Sequence, residues 1–465
     1  MHASMKGGGG RTKAMDGKPP TGPVDIARSL DEGGWNGFQK WVLVFAALAL
    51  AMDGVANQSL GLAVPALVKA WGVARSDFAF VSALNLVGVA VGTVIGGVMG
   101  DRLGRRAGLI FSLVVFGVAT ATGAMTSTPG ELAALRFIDG LGIGGAIPNS
   151  AALITEFTPI RRRSVAIATT MAFIPVGGLL AGSLGAAVLP TMGWEALFLI
   201  CGAAPLVLAA VFLVALPESP RFLLRRPDRK PELIKLLGRF GYGFSSDQTF
   251  TEEARAGRTP VTAVLGADIR RDTFCLWAGF FFCLMSSYTL FSWVPAMLSS
   301  LGMSLRNASL GITAFHLGGV IGSIVSGFVI QQMGSRPAAM AVGGGGVLAA
   351  LTLGIMLSQG ALIVVVMLPV LIALGFFIAG IHNAVYTLAA HIYPPFVRST
   401  GVGAASAVGR LGAILSSFTG IITMESAGAL GFFGAVAVLL GLSAIGILAM
   451  RRQMPRSAEL TPAHA

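Results

Sequence analysis

Charge is scarce in this sequence. Only 12% of its 465 residues are Asp, Glu, Lys or Arg, where a soluble chain carries about a quarter. That shortage, with 54% hydrophobic residues and a mean hydropathy of +0.78, argues against a water-soluble globular protein. Cysteine is nearly absent. Cys201, Cys275 and Cys283 all fall in apolar stretches without metal-ligand spacing, so neither a disulfide framework nor a metal cluster is expected, and the three thiols read as packing groups. The sequence also lacks a nucleotide-binding loop and a catalytic triad. Gly140-Leu-Gly-Ile-Gly-Gly145 has a dinucleotide-like spacing, but it lies inside an apolar run rather than after a strand, and the chemistry of that motif fails there. No catalytic residue, cofactor or metal is expected, and the chain does not read as an enzyme.

What is present is a series of long apolar runs. About twelve are long enough to cross a bilayer as helices, at roughly 40–66, 78–100, 106–126, 131–155, 164–189, 195–216, 273–299, 307–331, 338–357, 361–390, 399–424 and 428–450. Alternating patterning is absent, so a helical bundle is the spanning structure left, and 63 glycines suit close helix packing in lipid. The net charge of +12 looks at first like a nucleic-acid footprint. Its placement says otherwise: with both termini inside, 28 of the 33 Lys and Arg collect on one side, leaving Lys69, Arg75 and Arg306 outside and Arg136 and Arg410 within spans. That is the positive-inside bias, and no nucleic-acid partner is expected. No cleaved signal peptide is recognised. The tail with Gly7–Gly10 reads as disordered, Val24–Glu32 is the first stretch with helical character, and Met15 is a second candidate start.

The runs repeat. Gly97-Val-Met-Gly-Asp101-Arg102-Leu-Gly104-Arg105-Arg106 returns in reduced form as Gly327-Phe-Val-Ile-Gln331-Gln332-Met-Gly334-Ser335-Arg336, at an offset of 230 residues. At an offset of 235, Gly140–Gly145 meets Gly375–Gly380, Pro159 meets Pro394, Arg163 meets Arg398 and Gly177 meets Gly412. The expected organisation is a disordered tail (1–38), a six-helix half (39–216), a cytoplasmic linker (217–272), a second six-helix half (273–450) and a C-terminal tail (451–465). Parallel repeats of this kind place a substrate site near the midplane, between halves that rock against each other.

The polar residues inside the spans are the candidates for chemistry. Asp53 sits midway along the first span; a carboxylate at that depth is costly to keep charged, which suits it to proton coupling, the other reading being a structural bond to a neighbouring helix. Asn57 shares its face at i+4, with Gln58 at the edge. Arg136 and Arg410 offer guanidinium forks for a carboxylate. Asp139, one turn from Arg136, equally allows a structural pair, whereas Arg410 has no acid at i±3 or i±4. His382, Asn383, Tyr386 and Thr387 in the tenth span, and Ser287, Tyr288, Ser292 and Trp293 in the seventh, either line a cavity or serve helix packing. Trp293 can alternatively anchor at the outer interface. His316 and His391 read as packing or loop residues. At the basic end, Gly97, Asp101, Arg102, Gly104, Arg105 and Arg106 read as a conformational latch, with Glu156 and Arg163 as a second one. Pro217-Glu218-Ser219-Pro220-Arg221 closes the sixth span in the same fashion. Gly104 permits the tight turn. The alternative for these clusters is charge that only sets topology.

Together these motifs resemble the major facilitator superfamily. Gly97–Arg106 is similar to its second-to-third-helix loop, Arg136–Gly145 to its fourth-helix motif and Pro217–Arg221 to its sixth-helix end. Within it, Tyr393-Pro394-Pro-Phe-Val-Arg398-Ser-Thr400-Gly401 followed by Gly409-Arg410-Leu-Gly412, and Asp53-Gly54, look most like the aromatic acid:proton symporters. The resemblance covers about residues 24–450. It implies a twelve-helix, all-α membrane protein that imports an aromatic carboxylate with protons as a monomer in a bacterial inner membrane. Its partners would be a small organic anion, protons and the lipid bilayer. It also marks departures: Ala56 replaces the second acid of the first-helix motif, Gly380-Ile-His382-Asn383 replaces a Gly-rich, Gln-containing pattern, and Asp139 can neutralise Arg136. A proton-driven exporter of the same fold and a non-transporting sensor of aromatic acids are the alternative readings.

Overall fold

The first span starts earlier than its apolar run. Asn36 accepts from the Gln39 backbone N–H at 3.0 Å and its own N–H donates to the Gln39 side chain at 2.9 Å, a reciprocal cap that fixes the first turn, while its side-chain amide donates to the Arg239 carbonyl. The computed structural model describes residues 24–25, 35–240, 250–251, 264–266, 268–360, 363–393 and 397–454. Among them, ten continuous helices are long and apolar enough to cross a membrane. The first four spans are Gly37–Trp71, Asp77–Leu103, Arg105–Thr122 and Pro129–Phe157. The fifth and sixth follow the short helix Arg163–Met171 and share Phe173–Ala215, which breaks at Gly193. The seventh to tenth are Arg270–Ser300, Leu305–Met333, Ser335–Ser358 and Val364–Ile392. The eleventh and twelfth share Arg398–Leu448, which breaks at Ala427 and Gly428. Two of the ten helices thus supply two crossings each, and the fold is the twelve-span, two-half helical bundle that the apolar runs predict.

One correction concerns the tail. Val24–Asp25 pairs in parallel with Phe250–Thr251 of the linker, so ladder hydrogen bonds order this part of a tail expected to be disordered. The linker also carries the helices Pro220–Leu224 and Lys230–Arg239. The rest of the helical expectation at 24–32, the tail at 1–23, the linker at 241–249 and 252–263, Pro394 and residues 455–465 lie outside the described residues.

Small residues set the packing inside each half. A Cβ at Gly88, Gly92 or Gly96 would stand 2.3, 2.2 or 2.3 Å from atoms of Phe137, Leu141 and Gly145, so the second and fourth spans touch backbone to backbone. The eighth and tenth spans repeat this where Gly318 and Gly322 meet Ile372 and Phe376. Large apolar side chains such as Val214, Phe328 and Leu348 point outward, which is what a lipid environment requires of a helical bundle. All three cysteines are free.

The repeat survives in three dimensions. Gly104 and Gly334 take positive φ of 106° and 80° at matching turns. Arg163 Nε donates to the Thr158 carbonyl and Arg398 Nε to the Tyr393 carbonyl, a pair of contacts related by the 235-residue offset. Several contacts between the halves lie away from the basic end that these turns define. Gln58 and Gly61 of the first span meet Phe291 of the seventh, and Gly182 and Gly185 of the fifth meet Thr313 and Ser309 of the eighth.

Candidate functional site

Among the described residues, Asp53, Arg136, Asp139 and Arg410 are the acids and strong bases that lie more than a turn from a span's end. The structure sorts them into two groups. Arg136 and Asp139 form a buried ion pair, with Arg136 Nη1 donating to Asp139 Oδ2 at 3.0 Å. Asp139 also accepts from Thr120 at 2.8 Å and from Asn85 at 3.1 Å. The guanidinium lies over the Phe198 ring at 4.6 Å, and the two residues are 2% and 0% exposed. The second, third, fourth and sixth spans therefore meet around Arg136 inside the first half; its Nη1 is taken by the structural pair with Asp139, the other reading the sequence offered, while its Nη2 is buried without a hydrogen-bond partner among the described residues.

Asp53 and Arg410 behave differently. Asp53 is buried and accepts from Asn57 Nδ2 at 2.8 Å, the i+4 contact expected of that face. Gly54 beside it lets the fifth span approach: a Cβ there would stand 2.1 Å from the Ile174 carbonyl oxygen. Arg410 is half-buried and makes no hydrogen bond or ion pair among the described residues. Its span is held on the seventh, where Gly409 meets Leu284 and Gly412 meets the Phe281 carbonyl. Its charge reaches Asp53, Tyr288 and Tyr386. The first and eleventh spans, one from each half, thus bring an acid and an unpaired guanidinium within electrostatic range of each other.

Aromatic rings cluster about Tyr386 and Tyr288, the two phenols that the Arg410 charge reaches. His382 stacks on Tyr386 with centroids 5.1 Å apart and planes 8° from parallel, and Phe280 meets Tyr386 edge-on at 4.8 Å. Tyr288 meets Phe291 edge-on at 5.5 Å. The Tyr386 hydroxyl is 3.4 Å from Ser406 Oγ. Three sequence candidates are engaged in bonds or packing of their own. Ser287 donates to the Cys283 carbonyl of its own helix at 2.9 Å. Asn383 donates to the Ser323 carbonyl at 2.7 Å and to Ser326 at 2.8 Å, tying the tenth span to the eighth. Trp293 is 1% exposed against Gly420 and so packs the seventh span on the eleventh rather than anchoring at an interface. His316, read from sequence as packing, makes a polar contact between the halves through Gln58. The signal for that role is weak, because 258 residues separate the partners.

At the basic end the latch residues meet within the first half. Arg105 pairs with Asp101 and approaches Glu156 at 3.6 Å. The Arg106 backbone N–H donates to Glu218 at 3.1 Å and its guanidinium to the Leu213 carbonyl, one of the free carbonyls at the sixth span's end. Ser219 donates to Glu156, and the Arg102 carbonyl accepts from Arg226 at 3.3 Å. Gly97 has open space around it, so Gly96 supplies the close contact in that turn of helix. These bonds join the ends of the second, third, fourth and sixth spans. Arg163 bonds to Thr158, also inside the first half.

A family model described as the Major Facilitator Superfamily matches residues 46–417 and 276–465. A gallate transporter of Pseudomonas putida is 32% identical over 407 residues, covering 87% of this chain and 90% of its own length. The 4-hydroxybenzoate transporter PcaK of the same species is 29% identical over 401 residues, covering 85% and 89%. Among solved structures, a D-xylose-proton symporter superposes with a TM-score of 0.69 at 18% identity, covering 90% of this chain and 98% of that one. The family match runs through both repeats, and the relatives span nearly their whole length, so these similarities extend to the architecture and not to a shared segment alone. The chain is an integral membrane transport protein that belongs to the Major Facilitator Superfamily.

Proposed function

We propose that this protein imports an aromatic carboxylate together with protons across a bacterial inner membrane, by alternating access and as a monomer with both termini in the cytoplasm. The observation that carries the reading is Arg410: a guanidinium midway through a span, without a hydrogen-bond or ion-pair partner among the described residues and within electrostatic range of Asp53. An unpaired cation at that depth is costly unless a cavity or an anion meets it, and a guanidinium fork fits a carboxylate through two parallel hydrogen bonds. The rings of His382, Tyr386, Phe280 and Tyr288 supply flat apolar walls suited to an aromatic ligand. The gallate and 4-hydroxybenzoate transporters among the relatives support the same ligand class. Asp53 carries the proton in this reading. The two halves, 39–216 and 273–450, move against each other about the site, and the latch residues at the cytoplasmic end steady the first half.

The test is uptake of radiolabelled gallate and 4-hydroxybenzoate by the purified protein in proteoliposomes, with the exterior made acid. Accumulation above the equilibrium level that collapses with a protonophore supports the proposal. Arg410→Ala is expected to reduce uptake at low substrate by about 10–100-fold, the loss of one charge-assisted bidentate contact. Flux directed only outward under the same gradient identifies an exporter instead, and unchanged uptake by Arg410→Ala removes that residue from the site.

A further inference from the structure

The tenth span holds an imidazole whose nitrogens are unengaged. His382 is half-buried well inside Val364–Ile392, and neither ring nitrogen has a hydrogen-bond partner among the described residues. Neither is sealed off, in contrast to Arg136 Nη2 and Trp293 Nε1, which are buried without partners. The ring is held by its face: it stacks on Tyr386 with centroids 5.1 Å apart and planes 8° from parallel. A face-on stack leaves both nitrogens at the free edge of the ring. Tyr386 in turn meets Phe280 of the seventh span edge-on at 4.8 Å, and its hydroxyl is 3.4 Å from Ser406 Oγ of the eleventh. His382 therefore stands on the face of the tenth span turned toward the seventh and eleventh. Asn383 beside it is bonded to the eighth, and Phe377 packs on Gly345 of the ninth.

The Arg410 charge reaches Tyr288 and Tyr386 but is not felt at His382, so the imidazole stands farther from the guanidinium than either phenol does. Tyr288 is also in range of Asp53 and belongs to the charged end of the cavity. His382 precedes Tyr386 by one helical turn, about 5.4 Å along the axis, a length comparable with the distance across a benzene ring. A carboxylate held by Arg410, with its ring laid along Tyr386, thus points the far edge of that ring at the imidazole edge. A neutral imidazole offers one N–H donor and one bare acceptor nitrogen. A phenolic hydroxyl is its complement, able to donate and to accept through one oxygen. We infer that His382 forms a subsite for a ring hydroxyl and makes this protein selective for hydroxylated aromatic acids over acids with a bare or alkylated ring. This inference rests on the aromatic-carboxylate reading of the same cavity. The stack on Tyr386 fixes the plane of the imidazole before the ligand arrives, so its hydrogen bond costs little ordering.

The experiment uses the full-length protein in proteoliposomes, with radiolabelled 4-hydroxybenzoate and radiolabelled benzoate as separate probes. Unlabelled 4-hydroxybenzoate, benzoate and 4-methylbenzoate compete; the methyl group matches the hydroxyl in size and makes no hydrogen bond. In the wild type 4-hydroxybenzoate is expected to compete about tenfold better than the other two, the worth of one hydrogen bond in a cavity open to water. In His382→Ala the three acids should fall within about twofold of one another, with benzoate uptake unchanged. His382→Gln, which restores a donor and an acceptor, should recover part of the preference. His382→Phe, which keeps a ring against Tyr386 and removes both nitrogens, should behave as His382→Ala does. Equal competition by the three acids in the wild type overturns the inference, and so does a preference retained in His382→Ala or His382→Phe. Loss of benzoate uptake together with 4-hydroxybenzoate uptake in both variants assigns His382 to the fold and also overturns it. Uptake of neither probe by the wild type overturns the transport reading and this inference with it, whereas uptake without discrimination overturns the hydroxyl subsite alone.

Discussion

Gln58 and His316 join the two halves of the protein by a single hydrogen bond of 2.9 Å. The Gln58 amide nitrogen donates to the Phe291 carbonyl at 3.0 Å, which leaves its oxygen as the acceptor and assigns the proton to His316 Nε2. The His316 ring stacks on Phe291 at 5.2 Å, and a Cβ at Gly178 would stand 2.4 Å from the imidazole. Four spans, two from each half, thus meet at one buried imidazole, away from the basic end.

His316→Leu removes the donor and leaves the Gln58 oxygen facing an apolar side chain, a loss of about 1–3 kcal/mol at the contact between halves. The expected consequence is a looser junction at this end. A cysteine at Thr313, in a background without Cys201, Cys275 and Cys283, should react faster with an impermeant maleimide when His316 is replaced. An unchanged labelling rate would mean that the hydrogen bond does not hold the halves together.

Gly104 and Gly97 make a paired prediction about the turn between the second and third spans. Gly104 combines φ of 106° and ψ of 151° with a Cβ position 2.2 Å from Glu218 Oε2. That backbone region is essentially closed to other residues, at about 1–3 kcal/mol, and the clash adds to it. Gly104→Ala should therefore lower the unfolding temperature and the yield of folded protein, whereas Gly97→Ala, with open space around it, should leave both unchanged. Equal behaviour of the two variants in thermal unfolding would refute this account.

The repeat explains why the turn was readable and its partners were not. Gly104 and Gly334 announce themselves at an offset of 230 residues, and both hold positive φ. In the first half Glu218 accepts from the Arg106 backbone, and in the second half Gln453 accepts from Ser335 at 2.5 Å. Glu218 and Gln453 are separated by the 235-residue offset, so the second copy keeps an acceptor at the turn without its charge, while the donor changes from the Arg106 backbone N–H to the Ser335 hydroxyl. The apolar runs located all twelve spans because lipid constrains every residue of a crossing. The i+3 spacing of Arg136 and Asp139 displayed their pair, and Asp53 and Asn57 showed theirs at i+4. Gln58 with His316, and Asn383 with Ser323 and Ser326, stayed hidden, since neither periodicity nor spacing records which helices become neighbours. Ser287 illustrates a further limit: a hydroxyl in an apolar helix marks a cavity or a bond to its own backbone with the same sequence signal.

Glu218 predicts a pH effect on stability. Glu218 is 4% exposed, and burial raises its pKa above the ordinary carboxylate value, although the Ser219 and Arg106 backbone N–H groups and the Arg229 charge pull it down. An acid whose pKa is higher folded than unfolded holds its proton better in the folded state. Its contribution to stability is therefore complete below the unfolded pKa and declines as pH rises through the folded one. The unfolding temperature should fall across that interval in the wild type, and Glu218→Gln, which keeps an acceptor oxygen but cannot ionise, should flatten the decline. An identical pH profile in the two proteins would show that Glu218 contributes nothing to it.

Asp53 separates proton coupling from ligand binding. The Asn57 amide donates to one carboxylate oxygen at 2.8 Å, and an asparagine at position 53 still presents an oxygen there, so Asp53→Asn preserves the local contact and the fold. It also removes the site's negative charge, leaving Arg410 free to hold a carboxylate that no proton needs to accompany. Exchange of labelled for unlabelled 4-hydroxybenzoate across the membrane at equal pH requires binding and reorientation of the loaded carrier but no proton release, so it should continue in Asp53→Asn. Accumulation against a gradient requires the proton and should be lost, a fall of at least about 100-fold in the ratio attained, as for removal of a positioned acid–base group. Loss of both activities in a folded variant would mean that Asp53 serves ligand binding or reorientation rather than coupling. Retention of both would remove it from the mechanism and leave this chain without a proton carrier at the first span, since Ala56 stands where the family motif has its second acid.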